Sequence, residues 1–313
     1  MAQRSATRPR ARQDARAEPQ AEPAARAHAA DYVVQLQRSA GNAAVAALIA
    51  RDEAAPAPAP PPDKTGIGAR VAVGRFVEAA KKVQADWDTL GSAKARGKAF
   101  GAAANAELKA AGVPEVKIKV MKLGNAGSFD FSSWTLELGK PAFEGPKPSH
   151  GDLMETADTV YHETRHAEQW FRMARLQAGK GWSASKISTK LSIPLKVAKA
   201  AVKSKLVGTG TEVTEASAWY ENVYGTGRKA RSKTLKTLTK TRKELEKALA
   251  AYTKVDADPK ASEAKKGAAL KKLEAAQKKR EDALKAYHAL PEEADAWSVA
   301  ADVQTELLFY DRT

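Results

Sequence analysis

In the stretch TVYHETRHAEQWFRMA, residues 159–174, two histidines stand four apart and a glutamate follows the first. On a helix, residues at i and i+4 share one face a turn apart. Two imidazoles so placed can both reach one ion at about 2.0–2.1 Å. The glutamate beside the first ligand points to the open side of such an ion. There it can hold a water and take its proton. Zinc lowers the pKa of that water to about 7 and polarises a substrate carbonyl. His162, Glu163 and His166 satisfy this arrangement. The chain has only five histidines, so the spacing is a poor candidate for chance.

Catalytic zinc normally takes three protein ligands and a water. There is no cysteine, which excludes disulfides, a thiol nucleophile and a Cys-type zinc site. Of the other histidines, His28 lies in a tail, His150 in a Pro-rich loop and His288 at the end of a long helical segment. A downstream carboxylate is therefore expected. Two segments share Glu-Ala-x-Ala-Trp: TEASAWYENVYG at 214–225 and LPEEADAWSVA at 290–300. The second is better placed. Pro291 suits the first turn of a helix, and Glu292 and Glu293 suit its positive end. Glu293 stands four before Trp297 and is expected on that residue's buried face. Asp295 can hydrogen-bond a ligating histidine. Glu215 is the competing ligand, with Tyr220 and Tyr224 nearby as oxyanion donors; Tyr287 and His288 are alternatives for that role. Zn2+ is the expected cofactor.

The elements that position these residues are mostly helical. Residues 68–90 and 93–111 have helical periodicity. Val116, Ile118 and Val120 alternate with lysines, which predicts a half-buried strand. GSFDFSSWTLELG at 127–139 predicts one further strand or two. The helix bearing the histidines runs from about Asp152 to Ala178, with Met154, Ala157, Val160, Tyr161 and Ala167 toward the core. From 184 onward the pattern is helical. Residues 228–288 stand apart. Leu235, Leu238, Leu245, Leu249 and Tyr252 fit a seven-residue spacing, as do Leu270, Leu273, Leu284 and Tyr287, and DADP at 256–259 divides them. A protruding antiparallel helical hairpin is expected. It holds 19 Lys+Arg and 8 Asp+Glu, most of the net +15. That face is read as solvated. With few aromatics for stacking, nucleic acid is an unlikely partner.

Residues 1–63 are read as a disordered leader. It contains a short amphipathic helix at 31–51 and a Pro-rich linker, AAPAPAPPPD. The domain proper is 64–313. No apolar run reaches the roughly 18 residues of a membrane span, and no signal peptide is recognised. The expected location is the cytoplasm.

Two resemblances add to this reading. HExxH followed by a helical glutamate resembles the gluzincin class of zinc metallopeptidases, over roughly 130–178 and 287–308. The pairing of HETRHAEQ with Y..LPEEADAW is similar to metallopeptidase-like domains of polymorphic toxins and phage-associated proteins. The resemblance implies an α+β zincin-like fold with a small sheet and an active-site helix. It implies zinc on His162, His166 and Glu293, Glu163 as base, and a protein or peptide substrate. The gluzincin Glu-x-x-x-Asp pattern is not reproduced, since Pro291 lies four before Asp295. The ligand within 292–295 therefore stays open. Strict zinc-peptidase signatures also prefer uncharged residues where Arg165 stands and an apolar one at Glu168. That departure keeps an alternative: a non-enzymatic cargo or interaction protein on a degenerate zincin fold. The segment LQRSAGNAAVAALIAR resembles leaders of actinobacterial proteins linked to contractile injection systems. It implies loading into an injection particle and export as toxin or effector cargo.

Overall fold

A computed structural model of the chain describes residues 64–123 and 126–310. The leader and its 31–51 helix lie outside the described residues. The fold is α+β and mostly helical. A first helix, α1 (Arg70–Ala85), buries Val73, Phe76, Val77, Ala80 and Val83. These positions follow the three- and four-residue steps of one helix face. A turn over 86–91 leads to α2 (Ala93–Ala110), whose Ser92 caps it by accepting from the Ala95 N–H.

Three short strands follow: β1 (Lys117–Met121), β2 (Gly127–Asp130) and β3 (Thr135–Gly139). Their order is β1-β3-β2, with β3 parallel to β1 and antiparallel to β2. The central strand is buried at four of its five positions, whereas β1 alternates exposed lysines with half-buried Ile118 and Val120. Gly97 and Gly101 of α2 let β1 lie against the helix. A Cβ at Gly97 would meet Val120 at 2.4 Å, and one at Gly101 would meet Ile118 at 2.5 Å. The stretch 127–139 thus forms two strands. Trp134 turns between them at φ 56 with its indole fully buried and donating to the Pro114 carbonyl.

The helix α3 (His150–Gly179) is the axis of the body. It starts two residues before the predicted point, at a capping box in which Ser149 and Asp152 satisfy each other's backbone N–H groups. It is buried on nearly every side, as a helix enclosed by other elements must be. Four shorter elements pack around or beyond it: α4 (Ala184–Leu191), α5 (Leu195–Lys203), α6 (Thr211–Val223) and, at the C-terminal end, α9 (Pro291–Tyr310). Between them lie α7 (Arg228–Asp256) and α8 (Glu263–His288). The break falls where DADP was expected to divide two helices. The leucine seam is shallower than the heptads suggest, because Thr241 alone is buried in α7. The body comprises described residues 64–247 and 271–310, and Ala248–Leu270 clusters as a second unit. Within that unit the Asp258 carboxylate accepts from the Lys260 N–H and its carbonyl from the Ala261 N–H. Among the described residues no helix is long and apolar enough to cross a membrane.

α9 runs along α3, and one polar contact between them is poorly compensated. Gln304 donates to Asp158 Oδ2 at 2.9 Å, but Asp158 Oδ1 is buried without a hydrogen bond. Burial, aided by the nearby Glu155 charge, pushes the Asp158 carboxyl up to about 7 despite Gln304. The folded state therefore holds this proton more tightly than the unfolded chain. The resulting stabilisation is full below about pH 4 and is lost as pH rises through about 7. Asp158→Asn keeps an acceptor for Gln304 and removes the titration. Its melting temperature should exceed wild type at pH 8 and approach it at pH 4. A gain of equal size at both values would remove the carboxylate as the cause.

Candidate metal centre

The sequence places His162 and His166 one turn apart on α3, and Pro291 starts α9 so that Glu293 lies in its first turn. The structure brings all three together. His162 Nε2 and His166 Nε2 are 3.1 Å apart. Glu293 Oε2 is 3.6 Å from the first and 3.5 Å from the second. A tetrahedral ion with bonds of 2.0–2.2 Å sets its ligand atoms about 3.3–3.6 Å apart. The two distances to Glu293 fall in this range and the one between the histidines is slightly shorter, so the three donors approximate one face of such a tetrahedron. Glu293 Oε2 is buried with no hydrogen-bond partner, an uncompensated state that a cation would relieve. This His162–His166–Glu293 group can hold a metal ion.

The protonation states follow from the surroundings. Burial lowers the His162 imidazole to about 4, with Glu293 only partly opposing it. It is neutral, the form that ligates. Burial acts the same way on His166, but the Glu293 and Glu163 carboxylates outweigh it and raise the ring to about 9. Burial would raise Glu293, yet His166, His162 and the Tyr287 hydroxyl hold it well below the usual carboxylate range. Gln169 fixes which His166 nitrogen titrates. Its Nε2 donates to the Glu292 carbonyl and to Asp295 Oδ2, both at 2.7 Å. The Gln169 Oε1 atom therefore faces His166 Nδ1 at 2.7 Å and accepts its proton. The second, titrating proton sits on Nε2, the position a metal would take. Metal uptake then releases a proton.

The carboxylates left open by sequence now separate. Asp295 does not touch a ligating histidine; it acts through Gln169, one residue further away than expected. Glu292 is fully buried elsewhere, held by Asn222 and Arg231 at 2.6 Å each. Glu215 bonds Arg172 at 2.8 Å and Thr65 at 3.4 Å, and holds no histidine ring. Tyr224 is occupied between the Trp170 indole and the Leu191 carbonyl. Trp297 also differs from expectation. It is 39% exposed, its ring 4.4 Å from that of His162 and 4.8 Å from that of His288. The tryptophan covers the centre from the solvent side, while Glu293 points inward.

Arg165 has no part in the metal face. It is fully buried and reaches Asp295 through Nε at 2.8 Å and Nη2 at 3.1 Å. It also donates to Glu168 and to the Thr65 carbonyl. Glu168 in turn accepts from Arg172 at 2.6 Å and from the Ile67 N–H at 3.2 Å. Two buried arginines thus share Glu168, with Asp295 and Glu215 closing the network. Breaking one partner of such a buried pair typically costs about 3–5 kcal/mol. The chain entering the body is fastened here. Gly66 lies so close to Glu168 and Arg172, at φ +64, that no side chain fits. Tyr161 donates to the Ile67 carbonyl at 2.7 Å, and Lys64 reaches Ser298 and Asp302. From the sequence Arg165 can face outward or pair with Glu168 at i, i+3; the pair forms, but the links to Asp295, Arg172, Glu215 and the entering chain are not foreseen there.

Comparison with protein-family models, with curated proteins and with solved structures returns no match to this chain.

Two outcomes follow. Metal affinity, measured by competition with a chelating dye, should fall steeply in Glu293→Gln and His166→Ala. Gln169→Leu, which loses the bond to His166 together with those to the Glu292 carbonyl and Asp295, should weaken it about 10–100-fold. Glu215→Gln should leave it within a few-fold of wild type; a larger loss there than in Glu293→Gln would reassign the third ligand. A chain beginning at Ala69 should melt many degrees below one beginning at Lys64, since it lacks every contact of residues 64–68. Equal melting temperatures would show that those contacts contribute little.

Proposed function

We propose that this chain is a zinc-dependent hydrolase acting on peptide bonds. The observation that carries the reading is the convergence of His162, His166 and an unpartnered Glu293 oxygen beside Glu163. Two nitrogens and one carboxylate oxygen in a tetrahedral face suit zinc, with a fourth position left for water or substrate. When bound, zinc supplies Lewis acidity to a carbonyl and acidity to a water.

The chain's own residues do the rest. Glu163 lies on α3 next to His162, and one of its oxygens accepts the Phe129 N–H at 2.8 Å. That bond fixes the carboxylate between β2 and the metal face. Burial raises the Glu163 carboxyl to about 7, with His166 and the Phe129 bond opposing. A base poised there can take a proton at neutral pH and return it to a leaving amine. Burial and the Glu293 and Glu163 charges raise the Tyr287 hydroxyl well above its ordinary value. It stays protonated and available as a donor to developing negative charge. Phe129 belongs to an edge strand, the kind of element along which an extended peptide can lie. The charged residues at 165 and 168, which depart from strict peptidase signatures, serve the network beneath the site.

A second reading has its own support. The three donors are enclosed, with side-chain exposures of 7, 10 and 5%. A centre that closed could be a cross-link between α3 and α9 in a non-enzymatic cargo or interaction protein. The leader's resemblance to injection-system cargo suits either reading, and delivery by such a particle as a toxin or effector is part of the proposal.

Glu163→Gln separates the two. It should retain the metal and lose cleavage of a proteome-derived peptide library, because an amide cannot accept the proton. Cleavage at the wild-type rate would overturn the mechanism. No cleavage by either protein, with metal bound in both, would favour the cross-link.

A further inference from the structure

Residues 180–211 contain seven lysines and no aspartate or glutamate. They fold as two short helices joined by three residues. Ser183 caps α4 by accepting from the Lys186 N–H. Ser192 ends it in the left-handed region at φ 54, its N–H donating to the Ser188 carbonyl. The Ile193 N–H donates to the same carbonyl at 3.1 Å, and the Ser188 hydroxyl returns to the Ile193 carbonyl at 2.7 Å. Pro194 then leads directly into α5. Ile187, Leu191, Ile193, Val197, Ala198 and Ala201 are all buried. A pair of helices joined by three residues, with these positions inward, has the connection length of a helix-turn-helix unit.

Its second helix keeps one face in solvent. Lys196, Lys199 and Lys203 are exposed there, beside Leu195 at 43% and Val202 at 39%. On α4, Thr189 and Lys190 are exposed as well. Lys180 and Lys186 lie over the rings of Tyr220 and Trp182. Lys190, Lys196, Lys199, Lys203 and Lys205 have no ion-pair partner among the described residues. An α-helix with its side chains is about 10–12 Å across and fits the roughly 12 Å width of the major groove of duplex DNA; α5 would lie in it over about 13 Å of its length.

We propose that α4 and α5 form a docking surface for double-stranded nucleic acid, with α5 presented to the groove and the lysines to phosphates. Ammonium groups and small aliphatic side chains on one short helix suit phosphate oxygens and base-edge methyls. A membrane surface fits less well. Interfacial helices need a broad apolar face with Trp, Phe or Leu, and the apolar face of α5 is already buried in the body. A single strand would want exposed aromatics for stacking, and Trp182 is covered by Lys186. The expectation against nucleic acid rested on residues 228–288; this surface lies elsewhere and does not depend on the metal centre.

The test is fluorescence anisotropy of a labelled mixed-sequence duplex of about 20 base pairs, long enough for the few phosphates α5 can span. The full chain is titrated between about 50 and 200 mM KCl. Wild type should bind with an affinity that falls steeply with salt. The triple variant Lys196→Gln, Lys199→Gln, Lys203→Gln should bind at least about tenfold more weakly. Its slope of log K against log salt should be shallower by about 0.9 for each phosphate it no longer neutralises. The triple variant Lys233→Gln, Lys236→Gln, Lys240→Gln on α7 should keep the wild-type slope. Circular dichroism and metal content check that both variants fold; should the first not fold, Lys199→Gln alone should change the slope by about 1. Three results would overturn the proposal: no duplex binding by wild type, equal weakening in both triple variants, or equal competition by polyglutamate or phosphatidylserine vesicles at matched charge.

Discussion

The bond between Arg165 and Asp295 is the constraint on which the rest of the structure depends. It joins the middle of α3 to the first turns of α9 inside the body, where an unpaired charge would be severely penalised. The guanidinium meets the carboxylate through two nitrogens, which fixes direction as well as distance. With α9 set in this way, Glu293 arrives opposite the two imidazoles. Asp295 uses the same oxygen to hold Gln169, and Gln169 holds His166. One carboxylate therefore sets the position of one ligand and the protonation of another.

The network also explains why α3 carries so much charge in its interior. Arg165, Glu168 and Arg172 follow one another at three- and four-residue steps, on a face different from that of His162 and His166. The helix thus has two buried polar surfaces. One presents imidazole nitrogens to a cation beside a carboxylate oxygen of α9, and the other is a self-compensated array that fastens neighbouring segments. Keeping them apart matters electrostatically, since a guanidinium facing the metal donors would repel a cation.

The donor set was legible in the sequence because its physics is local. Spacing along a helix places His162 and His166, and a proline at a helix start places Glu293. The small sheet was legible from alternation over 116–139, although the two strands within 127–139 read as one or two. What the sequence concealed is non-local. Nothing in the string ties Arg165 to Asp295 or Gln169 to the Glu292 carbonyl. Glu215 and Glu293 share the same flanking pattern, and only packing separates their roles. Trp297 was expected inward from helical phase, but the aromatic rings of His162 and His288 hold it over the centre. The three-residue turn at 192–194 was hidden by a lysine-rich segment that reads simply as helical.

The donors also differ in when they come into being. His162 and His166 belong to α3, whereas Glu293 belongs to α9, and α4 through α8 are translated between them. A growing chain exposes a pair of imidazoles long before it contains the carboxylate that completes the set. Asp295, which aligns Gln169, is made later still. Full affinity for a cation, and any chemistry that depends on it, thus belongs to a chain synthesised well into its last helix. A fragment ending within α7 or α8 would carry the histidines on a helix with nothing to close the face. For a cell producing this chain, premature termination yields fragments lacking the complete centre.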